Sequence, residues 1–152
     1  MKRLYATLLS ITFAVTSVFA QQEDVMVGSL INAGDWFELE RAYPNIKDNV
    51  QTPLLKQMAE VLLAANFNRP DELRSKLPTL IAEHQSEIGF EGVCNMVVMG
   101  ATVEGFNGNY VVAADMIENI VDAVKSAGGS LHNSGLEELL APYAALRYLP
   151  AP

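Results

Sequence analysis

The sequence predicts an all-α protein, a stack of antiparallel helical hairpins with a C-terminal covering helix, on three observations. Apolar residues recur at helical spacing in run after run, and no run shows the strict alternation of a half-buried strand. Chain-breaking residues fall almost entirely between those runs. The reversals centre near Gly34, Arg69 and Gly108, 35 and then 39 residues apart, which is the period of two-helix repeats. A single hairpin cannot bury its own apolar face, so such units stack and the core forms between neighbours. The alternative is an irregular helical bundle whose turns are alike by coincidence.

The first helix is expected over "DVMVGSLIN", Asp24 to Asn32, with Val25, Leu30 and Ile31 as its apolar face and Ala33-Gly34 as its end. Asp35 then caps "DWFELERAY", with Glu38 three positions on to complete a capping box. Trp36, Leu39 and Tyr43 form its stripe, and Pro44 stops it. Thr52 as cap and Pro53 at the first helical position open "PLLKQMAEVLLAANF", whose wide apolar face marks a central helix. After the turn "FNRP", Asp71 and Glu72 suit the positive end of a new helix dipole. Leu73, Leu77, Leu80 and Ile81 continue the stripe, and Pro78 is expected to kink or divide it.

The run "GFEGVCNMVVMGATVEGF" carries Gly92, Gly100 and Gly105. Each costs a helix about 1 kcal/mol relative to Ala, a loss that close helix approach would offset. "YVVAADMIENIVDAVKSAGG" is the clearest amphipathic helix, with Ala113, Ile117, Ile120, Val121 and Val124 inward and Gly128-Gly129 as its end. "SGLEELLAPYAALRYL" supplies the covering helix, capped by Ser134 with Glu137 and bent at Pro142. Phe67 and Phe106, each before an Asn that tolerates turn geometry, are expected to plug the elbows of their hairpins.

Residues 1–20 read as an export signal: Lys2 and Arg3, a short apolar run, and small residues before Gln21. The mature chain would be periplasmic or extracellular, with a helical domain over 21–146 and the start of a linker or tail at 147–152. Of 10 basic residues, 8 remain against 18 acidic ones, a charge of −10. That balance disfavours nucleic acid and anionic membrane surfaces, both of which select clustered Lys and Arg. No integral span remains once the signal is removed. Cys94, the only cysteine, cannot form an internal disulfide, so packing must supply the stability.

"ATVEGFNGNYVVAADMIENIV" resembles a tetratricopeptide repeat through the small Ala101, the Gly108-Asn109-Tyr110 turn and Ala113. "AGDWFEL" echoes it with Gly34 and Trp36, although Leu39 stands where that family prefers Ala, and the middle unit lacks the turn Gly. The structural turn and packing residues are therefore Trp36, Phe67, Phe106, Gly108, Tyr110 and Ala113. A wider resemblance runs through "VGSLINAGDWFELE", "PLLKQMAEVLLAANFNRPDEL", the stretch from His84 to Gly128, and "ALRYLPAP". These segments look like the helical region before the catalytic domain of secreted bacterial retropepsin-like aspartyl proteases. The resemblance implies a β-rich domain with Asp-Thr-Gly or Asp-Ser-Gly further on, and neither tripeptide occurs here.

No residue of this chain is expected to be catalytic, to bind a cofactor or to hold a metal. "HNSG", His132 to Gly135, has Asn133 where an aspartyl protease needs its acid, and reads as a helix cap. His84 and His132 lack a second His at helical spacing or a Cys cluster for zinc. Cys94 among Val93, Met96, Val97 and Val98 reads as a small buried hydrophobe, not a nucleophile. Glu83, Glu87 and Glu91 read as a solvated face broken by Gly89, and Met58, Met96, Met99 and Met116 as core. Function then falls to contact with a protein or peptide, a retropepsin-like catalytic domain in cis among the candidates. The expected surface is the one made by the first helices of each hairpin. A stand-alone peptide-binding adaptor is the competing reading, and a carrier of apolar ligands a weaker third.

Overall fold

The structure, a computed structural model, describes residues 22–126. The expected signal over 1–20, the end at Gly128-Gly129, the "HNSG" cap, the covering helix with its Pro142 bend and the tail from 147 lie outside the described residues. Among the described residues every regular element is helical and no strand occurs. Helix α1 spans 22–33. It is followed by α2 Trp36–Ile46, α3 Pro53–Asn66, α4 Pro70–Phe106 and α5 Tyr110–Ser126. The chain forms two compact units, one ending at Leu63 and the other beginning at Ala64.

Three reversals share one hydrogen-bond pattern. The N–H groups of Gly34 and Asp35 donate to the carbonyls of Ile31 (3.1 Å) and Leu30 (3.0 Å). Those of Asn68 and Arg69 donate to Ala65 (3.2 Å) and Ala64 (2.8 Å), and those of Gly108 and Asn109 to Gly105 (3.1 Å) and Glu104 (2.9 Å). Each is a Schellman end, which needs a left-handed residue at its first position. Gly34, Asn68 and Gly108 supply it with φ of 67°, 52° and 78°. The equivalent positions are thus 34, 68 and 108; the second lies one residue before the centre expected from sequence, because Asn takes the place of Gly there. The following residue in each case opens the next helix: the carbonyls of Asp35, Arg69 and Asn109 accept from Leu39, Leu73 and Ala113.

In the first unit Asp35 caps α2 by accepting from the N–H of Glu38 (3.2 Å). The reciprocal half of the expected box is replaced: the Glu38 carboxylate pairs with Arg41 at 2.6 and 2.7 Å. Pro44 does not stop α2 at once: the ring removes one N–H donor, and the helix runs only two residues further, to Ile46. Asp24 on α1 accepts from the N–H groups of Gln51 (2.8 Å) and Thr52 (3.1 Å) and from the Thr52 hydroxyl (2.6 Å) at the start of α3. Val27, not Val25, is the buried valine of α1; Val25 is exposed. Leu39, Tyr43, Ala59 and Val61 are buried as well, and the Tyr43 hydroxyl donates to the Lys56 carbonyl at 3.0 Å.

In the second unit α4 is two helices joined at Gly89, whose φ of 75° and ψ of 165° are open to glycine alone. The division expected at Pro78 therefore falls eleven residues later, and α4 passes through Pro78 unbroken. Cys94, Val98 and Ala101 from the second half of α4 form one buried cluster with Ala113, Ile117, Ile120 and Val124 of α5. Close approach accounts for Gly100, where a Cβ would meet Met116 Cε at 2.7 Å and Leu77 Cδ2 at 2.9 Å. It does not account for Gly105, which has nothing within 4 Å. Opposite effects of one change should follow. Gly108→Ala at φ 78° should cost about 1 kcal/mol, whereas Gly105→Ala should gain up to about 1 kcal/mol from helix propensity. Urea midpoints of the two variants against the parent check both signs.

Candidate functional site

Where the two Phe-Asn turns fall in the second unit, their asparagines meet. Asn107 Nδ2 donates to Asn68 Oδ1 at 2.8 Å and to the Val103 carbonyl at 2.7 Å. The repeated dipeptide thus marks two reversals lying side by side, 39 residues apart in sequence. Beside this link a groove of about 540 Å³ runs between the end of α3 and the second half of α4. Ala65, Asn66 and Asn68 line one side, and Met99, Thr102, Val103 and Phe106 the other. Val103 is buried and forms the floor, while the Thr102 hydroxyl is turned back onto the Val98 carbonyl at 2.8 Å.

Phe106 corrects an expectation. Its side chain does not plug the hairpin elbow but stands 82% exposed. The reason is register: the buried stripe facing α5 runs through Cys94, Val98 and Ala101, and Phe106 falls on the neighbouring ridge with Met99 and Val103. Phe67 behaves differently, being half-buried with the Arg69 guanidinium 5.4 Å from its ring centre, a cation–π distance. Trp36 is half-buried about its own turn, with Nε1 3.9 Å from where a Gly34 Cβ would lie. Tyr110 is half-buried, and Ala113 is fully buried.

The turn behind the groove is braced by a network that sequence reasoning missed. Glu104, only 2% exposed, accepts from Arg74 Nε at 2.6 Å and a terminal guanidinium nitrogen at 2.7 Å, and from Asn109 Nδ2 at 2.8 Å. Arg74 also reaches Asp71 at 3.1 Å. The one legible signal was a lone acid inside the apolar stretch "MGATVEGF". The Arg74 hydrogen bonds hold the Glu104 carboxyl below its ordinary range, against burial, which pushes it upward; the bond from Asn109 lowers it further. A depressed carboxyl contributes stability above its unfolded pKa and loses it as the pH falls through the folded value. Acid titration should therefore destabilise the second unit as the pH falls below the ordinary carboxyl range, read as lower hydrogen-exchange protection at α4 and α5 relative to the intrinsic rate at each pH, and Glu104→Gln should flatten that dependence.

Among the described residues no group of three or more His, Cys, Asp or Glu is placed to hold a metal ion. His84 Nδ1 lies 2.7 Å from Glu87, and Gly89 separates Glu87 from Glu91. Cys94 is 1% exposed, and its thiol is pushed up by burial and then by Glu91, the opposite of what a nucleophile needs. The methionines are dispersed: Met96 is buried, Met99 lines the groove just described and Met116 lines another. No described helix is long and apolar enough to cross a membrane. Comparison of the chain with protein-family models, curated proteins and solved structures found no match.

Proposed function

We propose that this chain is a non-catalytic protein-interaction module that holds an extended segment of a protein partner in the groove between α3 and the second half of α4. Phe106 is the observation that carries it. Fully burying a phenylalanine is worth about 1.5–3 kcal/mol, and here the ring is left in water beside a formed groove. The rim carboxamides of Asn66 and Asn68 belong to groups that both donate and accept, as a peptide backbone does. Aromatic anchors flanked by such groups typify peptide grooves. The three matched reversals support a tetratricopeptide-like repeat, in which α3 and the second half of α4 are first helices of their hairpins.

The segments quoted above support a relationship to the helical part of an exported aspartyl protease. A retropepsin-like domain in cis is then one candidate partner, and a separate protein held by a stand-alone adaptor is the other. Reading the coding DNA past Pro152 separates them: a frame running on to Asp-Thr-Gly favours the first, a stop codon the second. Selection of peptides from a random library on the chain from Gln21 to Pro152 tests the groove itself. Selected peptides should lose at least tenfold in affinity for Phe106→Ala at unchanged melting temperature. Equal binding to both proteins would refute the assignment, and casein hydrolysis by the same preparation would refute a non-catalytic role.

A further inference from the structure

A second groove, separate from the one assigned above, runs along the other side of the second unit. Its main part, about 440 Å³, has an apolar floor of Leu77, Ile81, Cys94 and Ile120, with Phe90 on its edge. It continues past Leu77, Pro78 and Met116 into a further 180 Å³ that ends at Val112 and the Arg74–Glu104 pair. Phe90 and Val112 are 55% and 42% exposed. Along α5 the groove runs from Val112 to Ala123, about 16 Å at helical rise, or three turns.

Acidic residues flank the main part of the groove. Asn119 lines the groove, and the exposed Asp115 and Asp122 lie four residues before and three after it, on the same ridge of α5. On α4 the exposed Glu91 is near enough to act electrostatically on Cys94 in the floor. No lysine or arginine lines the main part; Lys125, three residues after Asp122 on the same ridge, lies past the last lining residue Ala123, and Arg74 is committed to Glu104 and Asp71. The whole chain, at −8, extends the same field.

We infer that this second groove docks the apolar face of a basic amphipathic helix of about three turns, supplied by a protein partner. An apolar channel of helical length takes the i, i+3, i+4, i+7 residues of such a helix, and the acidic rim faces its lysines and arginines. The segment from Leu136 to Leu149 is a poorer occupant, because Glu137 and Glu138 would meet the acidic rim.

Three synthetic 15-residue peptides test this by fluorescence anisotropy on the full chain: leucines at helical spacing with lysines elsewhere, the same peptide with glutamates for lysines, and a scrambled version of the first. The basic amphipathic peptide should bind at least tenfold tighter than either control. Phe90→Ala should weaken it several-fold, and Asp115→Lys with Asp122→Lys should shift the preference to the acidic peptide. Phe90, Asp115 and Asp122 are all exposed, so folding of these variants is checked by circular dichroism alone. Phe106→Ala should leave this binding unchanged, which separates it from the first groove. Equal binding of the scrambled peptide, or none, would overturn the inference. So would self-association abolished by Phe90→Asp, which would assign the groove to a second copy. A tenfold gain in affinity on Leu139→Asp with Leu140→Asp would assign it to the chain's own segment.

Discussion

Replacing Arg74 by alanine should destabilise the second unit more than replacing Glu104 by alanine, although both remove the same ion pair. Arg74 is 45% exposed and Glu104 only 2%, so the first change strands a buried carboxylate and the second leaves a guanidinium that water can reach. Stranding a buried charge costs on the order of 3–5 kcal/mol, an upper range here because Asn109 still donates to Glu104. The pH dependence should also change sign. Without its Arg partner, burial governs Glu104 and raises its folded pKa above the unfolded one. The variant then regains stability as the pH falls, where the parent loses it. Arg74→Met with Glu104→Leu should recover most of the loss, since a matched apolar pair removes the stranded charge. Hydrogen exchange of α4 and α5 amides at two pH values reads all three variants.

The second large effect lies in the first unit, at Leu39. Its side chain is fully buried in α2, and Leu→Ala at such a site costs about 2–5 kcal/mol, rising with the cavity that remains. A loss below about 1 kcal/mol in urea unfolding would mean that neighbouring helices close over the gap, against the burial seen here.

How far the sequence revealed this molecule follows from which forces act locally. Helix positions were legible because capping and left-handed turn residues are written in short words: Asp35, Pro53, Pro70 and Gly108 each stand where the structure uses them. The division of α4 was misplaced because proline suggests a kink by what it removes, whereas Gly89 makes one through a backbone conformation only glycine reaches. The face expected through Val25 turns outward and Val27 is buried instead, because a short helix gives too few residues to settle which stripe faces inward. Phe106 was misread for a related reason. Its type suggests burial, but its ridge points away from α5, and that depends on which neighbour packs where. The Arg74–Glu104 pair joins residues 30 apart, a relation that no local pattern announces.

The groove beside Phe106 is where this account is most exposed. Amide chemical shifts of the full chain, followed during titration with a library-selected peptide, test it directly. Changes should concentrate at Ala65–Asn68 and Met99–Phe106, with the peptide recovered intact. Changes centred elsewhere, or a peptide cleaved during the titration, would contradict it.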